Sequence, residues 1–370
     1  MSVNLTAHRA LRGRQQLLSK STPRSSDTRP LMAEPAARAA AISARAEAAI
    51  ARGNLRHGRP RGSAEFVNKE PLPLQDTRLG REVLACKSVG VIIGEPAANL
   101  FDDTFFRPLV SGISAALAQR SMLMVVLSLH SAQEMELAKA YLAGGHMDGA
   151  ILVSLHGDNP LPAWLREQGL SAVICGRPPK EAAVSYVDCD NRRGASLAVN
   201  HLIHLGRRHI ATIAGNLDMP SAIDRLMGYR DALTRAGVAL DPTLEEAGDY
   251  RADRAAMAMQ RLLLNHPDVD AVFAASDLMA LAAIKVMAQA NRHIPEDVAV
   301  VGFDDSAAAK LSSPALSSVR QPIETMGREA VDILVYEMSN PKAEPHQIVF
   351  GPELVIRAST VGDHRRPRRG

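Results

Sequence analysis

The chain has 370 residues, of which 46% are hydrophobic and 4% aromatic, and its formal net charge is +3 at pH 7. This composition supports one large or two medium hydrophobic cores built mainly from Ala, Val, Leu and Ile. No apolar run approaches the roughly 18 residues of a membrane span, and no apolar segment follows the N-terminal arginines as in a secretory signal. Three scattered cysteines without metal-ligand spacing indicate a reducing compartment. We therefore expect a cytoplasmic protein without a membrane partner, a metal or a cofactor.

The charge is distributed unevenly along the chain. Residues 1–87 carry 16 Lys and Arg against 7 Asp and Glu, a net charge of +9. Residues 88–360 carry 23 against 32, a net charge of −9, and residues 361–370 form a basic tail with a net charge of +3. A basic arm on an acidic body fits contact with nucleic-acid phosphates, because phosphates are neutralised locally. Charge alone is equally compatible with a disordered basic leader.

Residues 1–87 differ from the rest of the chain in composition. They are rich in Arg, Ala, Pro, Ser and Gly, and their apolar residues rarely recur with any period. Residues 35–52 form an Ala-rich candidate helix, with Pro at its first turn and Gly after its end. We expect most of this segment to be disordered.

Strand and helix patterns alternate from residue 88 onwards. Strands are predicted at 89–93, 122–127, 149–153 and 172–174, and helices around 109–117, 134–143 and 164–169. A repeat of roughly 25 to 30 residues in this order indicates a doubly wound parallel sheet.

The alternation then starts again and predicts a second sheet. Extended segments are predicted at 184–187, 210–213, 269–274 and 298–301, with helices at 194–205, 225–236, 257–264 and between the last two strands. A helix to about residue 338 and one last strand at 347–356 close the pattern. Two α/β lobes account for this length better than one domain does.

Polar residues follow the two strands near the end of the second lobe. Ser276 and Asp277 follow one strand, and Asp304, Asp305 and Ser306 follow the next. The carboxyl ends of parallel strands are where open α/β sheets bind ligands. The alternative is that these residues have structural roles. Ser276 or Asp277 would then be a helix N-cap, and residues 302–306 would form a turn in which Asp305 makes no ligand contact.

Six blocks of sequence carry a resemblance to a known family. They read VDCDNRRGASLAVNHLIHLGRRHIATIAG at 187–215, FAASDLMALAAI at 273–284, DVAVVGFDDS at 297–306, VRQP at 319–322, ELVIRAST at 353–360, and the DTFF loop at 103–106 followed by Gly112-Ile113. In order and spacing they resemble the LacI/GalR family of bacterial transcriptional regulators over residues 88–360.

The resemblance implies a periplasmic-binding-protein-like core of two lobes joined by three crossovers. Residues 88–189 and 322–340 would form the N-terminal lobe, and 190–321 and 341–360 the C-terminal lobe. The crossovers are expected near Asp188–Asn191, Ser318–Pro322 and Pro341–Glu344. A homodimer is also implied.

A small effector, a sugar or related polyol, would bind between the lobes. The family's binding positions map onto Phe105, Phe106, Arg177, Asp190, Arg225, Ser276, Asp304 and Gln321. Acids, amides and arginine bond vicinal hydroxyls, and an aromatic ring packs on the apolar face of a sugar. Phe106 is also open to assignment as a core residue, and Arg225 as a surface residue.

The front of the chain departs from the family. The resemblance implies operator DNA as a partner, but residues 1–87 contain neither the helix-turn-helix with its Gly-Val-Ser and Thr-Val-Ser motifs nor a hinge helix. A shifted reading frame, a wrong start or a decayed domain would give such a segment. Two functions therefore remain: a transcriptional regulator, or a DNA-free small-molecule sensor. An enzyme is not expected, because GxSxG, HExxH and Gly-rich phosphate-loop motifs are absent from the sequence.

Overall fold

Two six-stranded β-sheets organise the computed structural model, which describes residues 44, 88–97, 100, 104–179 and 183–362. Sheet A contains β1 (Ser88–Ile93), β2 (Leu123–Ser128), β3 (Gly149–Val153), β4 (Ser171–Cys175), β5 (Ser185–Cys189) and β11 (Gln347–Phe350). Sheet B contains β6 (Ile210–Ala214), β7 (Glu245–Ala247), β8 (Ala271–Ala274), β9 (Ala299–Asp304), β10 (Ser317–Arg320) and β12 (Glu353–Val355).

The strand order shows two doubly wound sheets. Sheet A runs β11-β5-β4-β3-β1-β2 with parallel pairing throughout. Sheet B runs β12-β10-β9-β8-β6-β7, in which β12 pairs antiparallel with β10 and the other pairs are parallel. The predicted fold class, two parallel α/β lobes, is confirmed.

Helices cover both faces of each sheet. On sheet A, α1 (Phe106–Ala118) and α9 (Ile323–Ser339) pack on one face, and α2 (Ala132–Ala143) and α3 (Leu161–Glu167) on the other. On sheet B the pairs are α4 (Asn191–His204) with α5 (Pro220–Arg235), and α6 (Ala252–Asn265) with α7 (Asp277–Gln289). Two short helices, α8 (Ala307–Leu311) and α10 (Ala358–Val361), and a 3₁₀ turn (Pro242–Leu244) complete the described elements.

Burial on both faces explains the uninterrupted apolar strands. In β1, the side chains of Val89, Val91 and Ile93 pack in the core under α1 and α9, whereas Ile92 packs in the core under α2 and α3. Because consecutive side chains of a strand point to opposite faces, a strand covered on both sides must be apolar throughout.

Over the residues that the structure describes, the chain crosses between the sheets three times, and the last crossing lies away from its expected position. The first two crossings follow β5 and β10. The last predicted strand, 347–356, is two strands: β11 pairs with β5 in sheet A, and β12 pairs with β10 in sheet B. The third crossing therefore lies at Gly351-Pro352 rather than at Pro341–Glu344, because the Gly-Pro pair interrupts an otherwise apolar run.

Other differences are local. β7, with the sequence EEA, was not predicted because two glutamates do not resemble a buried strand; Arg230 and Arg261 pair with them. Of the candidate helix at 35–52, Ala44 is helical and the other residues lie outside the described part of the chain. Within the described residues, no helix combines the length and apolarity needed to cross a bilayer.

Candidate ligand-binding site

A cleft of about 830 Å³, including the space at its mouth, lies where the carboxyl ends of strands from both sheets face one another. Seven of the eight predicted residues line it: Phe105, Phe106, Arg177, Arg225, Ser276, Asp304 and Gln321. Thirteen further residues complete the lining: Glu95, Ser154, Leu155, Ile174, Cys175, Gly176, Asp188, Asn191, Met219, Pro220, Ser221, Tyr250 and Met326.

Asp190, the eighth predicted residue, is not part of the lining. It is the N-cap of α4, and its carboxylate accepts a hydrogen bond from the amide of Arg193 at 3.0 Å. Its neighbours Asp188 and Asn191 line the cleft instead. Asp190 was predicted to bind the ligand, but it lies apart from the other seven residues because the first turn of α4 draws its side chain to the helix amides.

Arg225 organises the sheet B wall of the cleft. Its side chain is buried, so the surface assignment is excluded. Nε donates to Oδ1 of Asn191 at 2.9 Å, and Nη1 donates to the carbonyl oxygen of Ala275 at 2.5 Å. Nη1 lies 3.8 Å from Oδ1 of Asp304, and the guanidinium carbon is 3.7 Å from the centroid of the Phe303 ring. The guanidinium thus ties α4, β8 and β9 together at their ligand-facing ends.

Asp304 is the last residue of β9, at the carboxyl end of the strand. Its Oδ1 accepts a hydrogen bond of 2.7 Å from Nε2 of the Gln321 side chain. The backbone of Asp304 has φ = 112°, which L-residues rarely adopt and which persists where the surroundings hold it. The strained position aims a buried carboxylate at the cleft.

Asp305 follows β9 and is not part of the cleft lining, and its side chain is also a structural anchor. Its side chain is only 2% exposed, bonds Nε of Arg320 at 2.8 Å and pairs with Lys310 and Arg357. Burial opposes ionisation, but the hydrogen bonds from Arg320 and Arg357 outweigh it and lower the pKa of Asp305. Asp305 therefore anchors β10 and the segment after β12 to β9.

Ser276 and Asp277 have separate roles. Ser276 is the N-cap of α7, accepting from the amide of Met279, and it also lines the cleft. Asp277 lies behind the cleft, where it accepts from the amide of Ser306 at 2.7 Å and the hydroxyl of Ser318 at 2.6 Å. Burial raises the pKa of Asp277 to about 6. A Cβ at Gly302 would lie 2.3 Å from Oδ1 of Asp277, so glycine is required beside this carboxylate.

Three aromatic rings line the cleft. Phe105 and Phe106 meet edge to face with centroids 5.8 Å apart, and Phe106 is both a core residue and a lining residue. Tyr250 was missed because it stands in a polar loop, GDYRADR, without periodicity. Its ring packs on Gly215, where a Cβ would lie 2.2 Å from the ring, and its backbone has φ = 57°. The signal in the sequence was an aromatic residue within a polar loop, which the structure places after the short strand β7.

Asp188 and Asn191 were also missed by the sequence analysis as lining residues. Asn191 donates from Nδ2 to Oδ1 of Asp188 at 3.1 Å and to the carbonyl of Cys189 at 2.9 Å. Burial, and next the negative charge of Asp224, raise the pKa of Asp188 to about 7. Asp188 therefore takes up or loses a proton near neutrality.

Arg177 connects the two walls. It follows β4 of sheet A, and its Nη2 donates to both carboxylate oxygens of Asp224 on α5, at 3.1 and 2.9 Å. Burial raises the pKa of Asp224, and Arg177 opposes that shift. The arginine is thus neutralised by a carboxylate of the other lobe.

Comparison with known proteins identifies the relatives of this chain. A family model described as a periplasmic binding protein-like domain matches residues 199–360. The HTH-type transcriptional regulator CelR of Thermobifida fusca is 46% identical over 274 residues, 74% of this chain and 81% of the relative. The transcriptional repressor CytR of Escherichia coli K12 is 30% identical over 285 residues, 76% of this chain and 82% of CytR.

Solved structures agree with this placement. A structure of transcriptional regulator CelR in complex with cellobiose has a TM-score of 0.71 at 46% identity, covering 74% of this chain and 84% of that one. A LacI-type regulator from Bacillus cereus subsp. cytotoxis has a TM-score of 0.72 at 26% identity, covering 75% and 100%. These relatives are transcriptional regulators and not enzymes, in line with the sequence analysis. The chain belongs to the LacI/GalR family of transcriptional regulators.

Proposed function

We propose that this regulator senses a neutral, hydroxylated effector, a sugar of one or two rings, in the cleft between its lobes. The observation that carries the proposal is the composition of the lining: carboxylates and amides for hydroxyl groups, and rings of Phe105, Phe106 and Tyr250 for apolar sugar faces. The proposed contacts are the predicted Phe105, Phe106, Arg177, Arg225, Ser276, Asp304 and Gln321, with Glu95, Asp188, Asn191 and Tyr250 added.

The charges of the cleft favour a neutral ligand over an anion. Arg177 is paired with Asp224, and Arg225 donates to Asn191 and Ala275 beside Asp304. A phosphorylated sugar would have to compete with these acceptors for either guanidinium and would also face the lining carboxylates.

Cellobiose is the first effector to test, because CelR, with which this chain shares 46% of aligned residues, has been solved with cellobiose. Calorimetric titration of the full chain with cellobiose, glucose, ribose and glucose 6-phosphate tests the proposal. We expect cellobiose to bind and glucose 6-phosphate to bind at least roughly 10-fold more weakly than glucose, since one charged contact is worth that factor. Preference for the phosphate would contradict the proposal.

A homodimer is the second part of the proposal. Edge strand β2 and the following helix α2 expose the apolar side chains of Leu123, Val126, Leu137 and Tyr141, and Leu123 is 69% exposed. Exposed apolar surface of this kind marks protein interfaces. Sedimentation velocity should show a dimer that Leu123→Glu weakens. Leu240→Glu, on a loop of the other lobe, is the control; equal effects of both, or a monomeric wild type, would contradict this interface.

Operator DNA is the third part, and we assign its contacts to residues 1–87, of which the structure describes residue 44 alone. We propose that this regulator acts in the cytoplasm on DNA through that basic segment. Since the segment lacks a helix-turn-helix motif, we expect weak binding with a steep salt dependence and no preference for a palindrome. Electrophoretic mobility shifts against salt, with palindromic and scrambled duplexes, decide between this and a DNA-free sensor. A footprint on a specific palindrome at physiological salt would show base readout instead.

A further inference from the structure

A histidine connects the two lobes at one wall of the cleft. His156 follows β3 of sheet A, and its Nε2 lies 2.8 Å from Oε1 of Glu95, which follows β1 of the same sheet. Its Nδ1 lies 2.9 Å from Oδ1 of Asp218, which follows β6 of sheet B. The amide of Gly157 also donates to the carbonyl oxygen of Asp218 at 3.1 Å. Side chain and backbone together join the lobes at this point.

The geometry favours a charged imidazole over a neutral one beside two ionised carboxylates. Each ring nitrogen of His156 faces a carboxylate oxygen, and a carboxylate accepts hydrogen bonds but donates none when ionised. A neutral ring would present a lone pair to one of the two carboxylates, whereas the imidazolium donates to both. The hydrogen bond to Asp218, and next that to Glu95, raise the pKa of His156 to about 10.

Glu95 places this bridge in the ligand site. It lines the cleft, and its own carbonyl oxygen accepts a 2.6 Å hydrogen bond from the hydroxyl of Ser128, which holds the segment after β1. Arg251, in the lobe of sheet B, also interacts electrostatically with Glu95. One imidazole thus orients a carboxylate of the lining and ties it to the opposite lobe.

We propose that His156 is a positioning residue for effector binding: it presents the carboxylate of Glu95 to a hydroxyl of the effector and holds the cleft closed through Asp218. The inference rests on the proposed function and deepens it, because it connects recognition at one wall to closure of the two lobes. A merely structural histidine would not couple effector affinity to its own protonation.

Protonation of His156 and closure of the cleft favour each other. In an open cleft His156 keeps Glu95 of its own lobe but loses Asp218, the larger influence on its pKa, so the pKa is lower in the open state than in the closed one. The contribution of the charged ring is complete below the open-state pKa and is lost as the pH rises through the closed-state value of about 10. Without effector the cleft exchanges between open and closed forms, so binding between these values takes up a fraction of a proton. Asp188, with a pKa of about 7, also titrates, so the measurement belongs above its range.

The first experiment measures proton uptake. The full chain is titrated calorimetrically with cellobiose at about pH 8.5 in two buffers of different ionisation enthalpy. We expect wild type to take up a fraction of a proton, and Asp218→Asn to bind roughly 10-fold more weakly with little uptake, because one charge-assisted hydrogen bond is lost. Asp268→Asn, an exposed acid paired with His209 outside the lining, is the control and should match wild type. Equal uptake in wild type and Asp218→Asn would overturn the proposal.

The second experiment needs no sugar. NMR of the imidazole, assigned by comparison with His156→Gln, should show a doubly protonated ring at about pH 8.5 in wild type and a lower pKa in Asp218→Asn. A wild-type ring that titrates near the ordinary value would overturn the proposal. If cellobiose does not bind to wild type, that effector assignment fails, and the NMR result still decides whether His156 bridges the lobes.

Discussion

The two walls of the cleft are built differently. On the sheet B wall the polar groups bond to one another: Arg225 holds Asn191 beside Asp304, and Gln321 holds Asp304. On the sheet A wall the charged residues reach across the cleft: Arg177 pairs with Asp224 and His156 with Asp218. We therefore expect the sheet B wall to be oriented before a ligand arrives, and the orientation of the sheet A wall to depend on closure. Preorganisation on one side lowers the entropic cost of binding, and the other side confers a dependence on closure.

The support behind the sheet B wall is tested by Asp305→Ala. This carboxylate is buried and shared by Lys310, Arg320 and Arg357, so its removal leaves three cations without their common partner. We expect a loss of about 3 kcal/mol in the free energy of unfolding, measured with urea. Asp253→Ala, an exposed pair, should cost less than about 0.5 kcal/mol. Similar losses in both variants would show that the cluster does not support the wall.

Recognition by the sheet B wall is tested by Asp304→Ala. The change leaves effector hydroxyls without their acceptor in a partly dry site, so affinity should fall roughly 10- to 100-fold, about 1.5–3 kcal/mol. Calorimetry with cellobiose on the full chain measures it. Asp305→Ala is unsuitable as the control because Asp305 is a structural anchor; Asp190→Ala, a helix cap outside the lining, should leave affinity unchanged. Equal effects of both substitutions on affinity would show that the effector does not bind at Asp304.

Titration of Asp188 tests the junction of the two walls, because this group lies in β5, where the chain first crosses from sheet A to sheet B. The folded state raises the pKa of Asp188 to about 7, so it binds this proton more tightly than the unfolded chain does. Stability should therefore fall as the pH rises from about 4 to about 7. Asp188→Asn removes this penalty and should be more stable than wild type by about 4 kcal/mol at pH 8, because each pH unit between the unfolded and folded pKa values adds about 1.4 kcal/mol; at pH 4 the two should differ little. A difference that is the same at both pH values would contradict the assignment.

The smallest effect is expected from Phe105→Ala on the sheet A wall. Phe105 is partly buried beside Phe106 and offers a ring face rather than a charged contact, so affinity should fall only about 3- to 10-fold. Calorimetry with cellobiose measures this, and Phe105→Tyr, which keeps the ring, should retain most of the affinity. A loss larger than that of Asp304→Ala would reverse the relative importance of the two walls.

Much of the fold was predictable because doubly covered strands must be apolar and helices must repeat near 3.6 residues. β3 was predicted at its observed bounds, and the strands that deliver Ser276 and Asp304 were located by the polar residues at their carboxyl ends. Seven of the eight predicted residues meet in the cleft because the family motifs place them at strand ends and helix starts. Local pattern and motif were sufficient for these features.

Only the tertiary structure decided which neighbour faces the ligand and which strands pair. The choice of Asp188 over Asp190 depends on where β5 ends and α4 begins, a difference of two residues that no composition signal marks. The split of 347–356 depends on β5 and β10 being available as separate pairing partners. Asp305 as an anchor, Tyr250 against Gly215, and His156 between two lobes all depend on contacts between residues far apart in the chain. Periodicity reports burial along one element, whereas a site is defined by the directions of side chains from several elements, which are set only when the sheets pack.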